Sequence, residues 1–191
     1  MKSISEKRNR RLMRLKSYDY SKDGAYFVTI CVQKKECLLG QVVDGVMELN
    51  DAGKTIGHAW SDLPSRYASA ELDEVVIMPN HIHGIIVIND TDVGAGLALP
   101  NKGAASGAPT LGDIVRVFKS ISTRNVNRLL SRLGQPVWQR NYFDRIIRNE
   151  DELNRIRQYI ANNPLQWQID RENPATEDVN EKEEEPWGAK A

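Results

Sequence analysis

The chain has 191 residues, 40% of them hydrophobic and 27% charged, and its 26 Lys+Arg balance its 26 Asp+Glu to a formal net charge of +0. That is one ordinary domain's worth of chain with tails, apolar enough to close a core unaided. No apolar run approaches the roughly 18 residues that cross a bilayer, no apolar stretch follows the basic N-terminus as in a signal peptide, and two cysteines, Cys31 and Cys37, cannot build a disulfide framework, so a cytoplasmic protein is expected rather than a membrane or secreted one.

Residues 1–22 read as a basic arm; its first 16 residues carry seven basic side chains, among them Arg8, Arg10, Arg11, Arg14 and Lys16, against Glu6 alone, a net of +6. Residues 25–33 (AYFVTICVQ) are aromatic and β-branched and predict a strand buried on at least one face. Within 38–49, Asp44-Gly45 separates two short apolar stretches. That dipeptide supplies the positive φ angles of a type I′ turn and predicts a small hairpin. Asn50 is placed to cap a helix running through Leu63, with Ile56, Ala59, Trp60 and Leu63 on its apolar side and Pro64 as the stop. Residues 74–78 (EVVIM) and 83–88 (HGIIVI) predict neighbouring strands joined through Pro79-Asn80. Residues 91–109 hold six Gly or Pro and no periodicity, the pattern of a flexible insertion.

Residues 110–133 place Leu111, Ile114, Val115, Phe118, Ile121 and Val126 near a 3.6-residue period, with Thr110 and Asp113 as an N-terminal cap and Gly134 beyond the end. Residues 137–148 (VWQRNYFDRIIR) have strand-like composition, and Asn149 with Glu152 opens a last helix reaching about Asn162, before Pro164. Leaving out the hairpin, the order βαββαβ predicts an α+β ferredoxin-like sandwich, an antiparallel sheet with helices on one face, plus the small hairpin and a C-terminal helix. The expected single domain spans residues 23–170. Residues 171–191, three basic against seven acidic, carry −4 and read as a disordered tail.

Residues 116–148 hold eight basic side chains, including Lys119, Arg124, Arg140 and Arg145, against Asp144 alone, a net of +7. Arg-rich segments suit phosphate because the guanidinium fork binds it bidentately, so a polyanion is the candidate partner. Ordinary solvated helix faces produce the same pattern.

The chemistry concentrates in two places. His81-Ile82-His83 stands at the mouth of a predicted strand, where residues i and i+2 share a face, so two imidazoles converge while Ile82 turns inward. Such a pair can hold a metal ion, or be only structural. In the last helix Tyr159 and Asn163 are i, i+4 and share a face. Taken alone they also fit a boundary tyrosine and a C-terminal cap. Together with the histidines, an amide oxygen makes three ligands for a divalent ion such as Mg²⁺ or Mn²⁺ and leaves room for a phosphate oxygen.

The string MPNHIHGIIVI, then FKS, VWQRNYFDRIIR, NEDELNRIRQYIANNP and the terminal QW resemble the REP-associated tyrosine transposases, single-tyrosine members of the HUH endonuclease superfamily, over roughly residues 11–173. The resemblance implies the ferredoxin-like fold, His81 and His83 as metal ligands, Asn163 as the third, Tyr159 as nucleophile, and Mg²⁺ or Mn²⁺ as cofactor. It also implies single-stranded DNA with palindromic repeat hairpins as partner, leaves a homodimer open, and puts the protein at the nucleoid. In one departure, Arg145 follows Asp144 where the family often has a histidine. On this reading the basic arm and Lys119, Arg124, Arg140 and Arg145 contact phosphates, and Trp138 and Tyr142 are candidates to stack on unpaired bases. Two rivals stand beside it: a DNA-binding repressor without turnover, and a zinc hydrolase, which would need a further His or carboxylate to complete the H-x-H pair.

Overall fold

The strand β1 (Gly24–Cys31) sets the architecture because both of its faces are covered: Tyr26, Val28 and Ile30 bury on one, Phe27 and Cys31 on the other. A computed structural model describes residues 23–89, 109–170 and 172–176 of the chain. In it β1 pairs antiparallel with β5 (His81–Ile88) and β6 (Phe143–Ile147), and β5 pairs with β4 (Ala70–Ile77). The result is a four-stranded antiparallel sheet in the order β4-β5-β1-β6.

One face carries α1 (Asp51–Ser61) and α3 (Leu111–Leu129), whose Ile56, Trp60, Ile114 and Phe118 join Tyr26, Val28, Ile30, Ile82 and Ile86 in the larger core. This is the expected βαββαβ sandwich. The C-terminal helix α4 (Glu150–Asn162) lies on the opposite face, where Ile156 and Ile160 pack with Phe27, Ile85 and Ile147. Ile156 and Ile160, both fully buried, each contribute about 1.5–3 kcal/mol of burial, which is what holds α4 to the sheet.

Local signals act as the sequence suggests. Asp44 and Gly45 take φ of 51° and 75°, the left-handed values that turn β2 (Gly40–Val43) into β3 (Val46–Leu49). Asn50 caps α1 by accepting from the Gly53 N–H at 3.0 Å, Thr110 and Asp113 form a complete capping box on α3, and Asn149 accepts from the Glu152 N–H at 2.8 Å.

Several boundaries differ. The first helix ends at Ser61, and Pro64 sits in the first turn of a separate short helix, α2 (Leu63–Arg66). The strand expected at 74–78 begins at Ala70, paired with Ile88, and is interrupted by an irregularity between Leu72 and Val75. α3 stops short of residue 133 because Ser131 already adopts φ 53°. Within 137–148 only Phe143–Ile147 forms ladder; Trp138 makes an isolated bridge to Val32. The N-terminal arm 1–22, most of the insertion 91–109 and the acidic tail past residue 176 lie outside the described residues. No helix among the described residues is long and apolar enough to cross a membrane.

Candidate active site

The alternation of β5 decides where the histidines point. Ile82 and Gly84 face α1 and α3, and a Cβ on Gly84 would lie 2.5 Å from Trp60 Cζ2, so only glycine admits the indole there. His81 and His83, the first and third residues of β5, take the other face, opposite Cys31 and Thr29 of β1. Expected just ahead of the ladder and at its first residue, they sit within it, which fixes their backbone. Both are buried.

The C-terminal helix completes the cluster. Ile156 and Ile160 seat α4 on the sheet, and the same rotation brings the Tyr159 hydroxyl to 3.5 Å from His83 Nε2. Phe27 stacks on the His83 ring at a centroid distance of 5.4 Å and meets Tyr159 edge-on at 6.1 Å, fixing both rings. Thr29 Oγ1 lies 2.9 Å from His83 Nδ1. Across the helix packing, Arg157 grips Asp73 of β4 through two nitrogens at 2.6 and 2.8 Å. That clamp holds the Asp73 carboxyl below its ordinary range, chiefly through the hydrogen bonds from Arg157.

Asn163 ends α4 as its C-cap and is 1% exposed. A short 3-10 turn, Asn163–Gln166, then carries the chain back over the sheet and delivers Asp170, 3% exposed, with its Oδ2 3.7 Å from His81 Nε2. One ligand atom from each of His81, His83 and Asp170 lies within 4.8 Å of the other two. His81 Nε2, Asp170 Oδ2 and Asn163 Oδ1 are all buried and have no hydrogen-bond partner among the described residues. Complete burial keeps the His81 imidazole below its ordinary pKa, against the opposing pull of Asp170, Glu172 and Asn163. A carboxylate oxygen and an amide oxygen buried near an imidazole nitrogen, unpaired among the described residues, make a set of acceptors that a cation would satisfy. Two imidazole nitrogens and a carboxylate are an ordinary donor set for a divalent ion, so His81, His83 and Asp170 fit a metal.

The structure gathers His81, His83 and Tyr159, buries Asn163 nearby, and adds Asp170, which no sequence pattern marks. Glu172, expected in a disordered tail, is 5% exposed. Its backbone N–H donates to Asp170 Oδ1 at 2.6 Å, its carbonyl accepts from Asn80 Nδ2, and its carboxylate lies 3.5 Å from Lys35 Nζ. The folded unit therefore continues past residue 170, at least to residue 176. No periodicity marks Asp170; the only signal was an acidic residue seven positions after the third proposed ligand, before the charged tail.

The expected DNA contacts are distributed unevenly. Arg124 and Arg140 are exposed. Lys119 instead donates to the carbonyls of Gln139 and Asn141, each at 3.0 Å, and burial pushes its ammonium down to about 8. It pins the loop ahead of β6. Arg145 pairs at 2.7 Å with Glu152, which is 4% exposed; although burial works to raise the Glu152 carboxyl, Arg145 and the Arg148 N–H hold it below its usual range. Trp138 is 6% exposed, packs with Phe118 and donates from Nε1 to Ser122 Oγ at 2.8 Å, so it lies in the core rather than where a base could stack. Tyr142 is half-buried beneath Lys119 Nζ, 5.4 Å from its ring centroid. Arg8, Arg10, Arg11, Arg14 and Lys16 fall outside the described residues. His58 is exposed on α1.

No protein-family model matches the chain. An uncharacterised protein of Haemophilus influenzae is 42% identical over 171 residues, covering 85% of this chain and 92% of that protein. Among solved structures, a REP-associated tyrosine transposase bound to a REP hairpin superimposes with a TM-score of 0.53 at 17% identity, covering 78% of this chain and 71% of the other. At that identity the likeness is one of fold.

Proposed function

This chain belongs to one family with the Haemophilus influenzae protein and is built on a tyrosine-transposase-like fold, and from that premise we propose that it is a metal-dependent DNA strand transferase. It cleaves and rejoins single-stranded DNA at repeat hairpins through a 5′-phosphotyrosine. The observation that carries this reading is the phenol of Tyr159, 3.5 Å from His83 Nε2, at the rim of a buried group of lone pairs suited to a divalent cation.

Tyr159 is the nucleophile. Its oxygen attacks the scissile phosphorus, the bond from phosphorus to the 3′ oxygen breaks, the phenolic proton leaves and the departing 3′ oxygen takes one up. A 5′-phosphotyrosyl link and a free 3′-OH result. Because the link keeps the reactivity of a phosphodiester, the same or another 3′-OH reverses the step without ATP. A free tyrosine, with an ordinary pKa of about 10, is a poor nucleophile at neutral pH and needs help to lose its proton. His81, His83 and Asp170 would hold the ion, with Asn163 offering a further oxygen, and a bound Mg²⁺ or Mn²⁺ supplies positive charge for the non-bridging phosphate oxygens where the transition state gathers negative charge. Phe27, stacked on His83 and edge-on to Tyr159, keeps the phenol from swinging away. Thr29 and Asn80 hold the far sides of the two imidazoles. Exposed Arg124 and Arg140 suit the phosphate backbone.

The test is incubation of the protein and Mg²⁺ or Mn²⁺ with labelled hairpin oligonucleotides from the flanks of its own gene, followed by denaturing electrophoresis. A conjugate that survives denaturation and disappears in Tyr159→Phe, with oligonucleotide binding retained, is expected. Asp170 favours one second reading, because it supplies the carboxylate that a zinc hydrolase built on the H-x-H pair would require. That enzyme would turn over with Zn²⁺, form no conjugate and keep its activity in Tyr159→Phe.

A further inference from the structure

Asn80 is 1% exposed and its orientation is settled by its neighbours. Its side-chain nitrogen lies 2.7 Å from the Glu172 carbonyl and 3.2 Å from the Lys35 carbonyl. Carbonyls only accept, so the atom facing both must be the amide nitrogen, and the remaining atom, Oδ1, must be an acceptor. That oxygen lies 2.9 Å from His81 Nδ1. An acceptor at that distance requires a proton on Nδ1. A neutral imidazole carries only one, so in the neutral ring it sits on Nδ1 and Nε2 keeps its lone pair, on the side that faces Asp170.

The backbone of Asn80 is held as firmly as its side chain. Its carbonyl accepts from the Val32 N–H at 2.7 Å, and the chain reverses between β4 and β5 with the Met78 N–H bonded to the His81 carbonyl at 2.8 Å. Three separate segments therefore meet at this one amide: the 3-10 turn after β1, the β4–β5 turn and the segment following Asp170.

We propose that Asn80 is a positioning residue that holds His81 in the Nδ1–H tautomer and so presents Nε2 to the cation site. The inference rests on the reading of His81, His83 and Asp170 as a metal centre, yet the tautomer itself exists without metal and can be read without it. The same amide ties the Glu172 carbonyl, two residues from Asp170, to the strand bearing His81, so one side chain sets both the ligand atom of the imidazole and the approach of the carboxylate segment.

Long-range ¹H–¹⁵N correlation spectra of the metal-free full chain report which imidazole nitrogen is protonated. The three histidines are told apart with His58→Gln and His83→Gln. His81 is expected as the Nδ1–H tautomer in the wild type and in Asn80→Asp, which keeps an acceptor beside Nδ1, but not in Asn80→Leu, which removes it. Calorimetric titration with Mn²⁺ should then show affinity falling by about 10- to 100-fold in Asn80→Leu, and by less in Asn80→Asp, which keeps the acceptor beside Nδ1 but loses the donor to the Glu172 and Lys35 carbonyls. Where Asn80→Leu does not fold, the wild-type tautomer and Asn80→Asp decide. An Nε2–H tautomer in the wild type, or Asn80→Leu with an unchanged tautomer and unchanged Mn²⁺ affinity, overturns the proposal. A wild type with the Nδ1–H tautomer that binds no Mn²⁺ supports the positioning role and overturns the metal reading instead.

Discussion

Substituting Gly84→Ala tests the packing that aims the two histidines. The added methyl would lie 2.5 Å from Trp60 Cζ2 and 2.9 Å from Cη2, whereas ordinary contact begins at about 3.4 Å, so something must yield by nearly 1 Å. The indole cannot swing aside, being 1% exposed and packed edge-on against Phe118 at 5.3 Å. Overpacking of this kind costs about 1–3 kcal/mol, and the lower chain entropy of alanine returns about 0.5–1 kcal/mol. The net is a loss of up to about 2.5 kcal/mol, and at roughly 2–4 °C per kcal/mol for a chain of this size Tm falls by up to about 10 °C. Trp60→Phe alone opens a cavity beside Gly84 and is also destabilising. Combined, the methyl enters the space left by the lost ring, so the double variant should be more stable than the sum of the two losses by on the order of 1 kcal/mol. Urea and thermal unfolding of the four proteins measure the cycle. Because Gly84 adjoins His83, Mn²⁺ binding should fall in Gly84→Ala and recover in the double variant. A raised Tm in Gly84→Ala, or strictly additive losses, would refute the steric account.

Other outcomes follow from single contacts. Asp73, its carboxyl held low by Arg157, contributes stability that is present above its unfolded pKa and lost as pH falls through the lower folded value. Melting curves of the wild type and Asp73→Asn should therefore differ at neutral pH and converge in acid, below the ordinary carboxylate range; a gap that persists there counts against the clamp. Trp138→Phe should cost about 1–2 kcal/mol through the lost bond to Ser122 and lost packing while leaving oligonucleotide affinity unchanged; weaker DNA binding at unchanged stability would restore a stacking role. Arg124→Gln and Arg140→Gln should each reduce the slope of log affinity against log salt by about 0.7 for single-stranded DNA. Slopes equal to the wild type would remove both from the phosphate contacts.

Much of this protein is legible in its sequence because the signals are local. Asp44-Gly45 requires left-handed backbone, Asn50, Thr110 and Asn149 each satisfy an N–H a few residues away, and a two-residue period puts His81 and His83 on one face whatever the strand's neighbours. The four-residue spacing of Tyr159 and Asn163 is of the same kind. Tertiary structure alone decided which far-separated groups meet, since that depends on how α4 seats and where the chain turns afterwards. Asp170 reaches His81 only because Ile156 and Ile160 fix the helix and the 3-10 turn folds the following segment back over the sheet. For the same reason Trp138 became core, Lys119 a strut and Arg145 the partner of Glu152. Composition marks a side chain as aromatic or basic, but whether its polar end meets solvent, a carbonyl or a carboxylate is set by packing between elements.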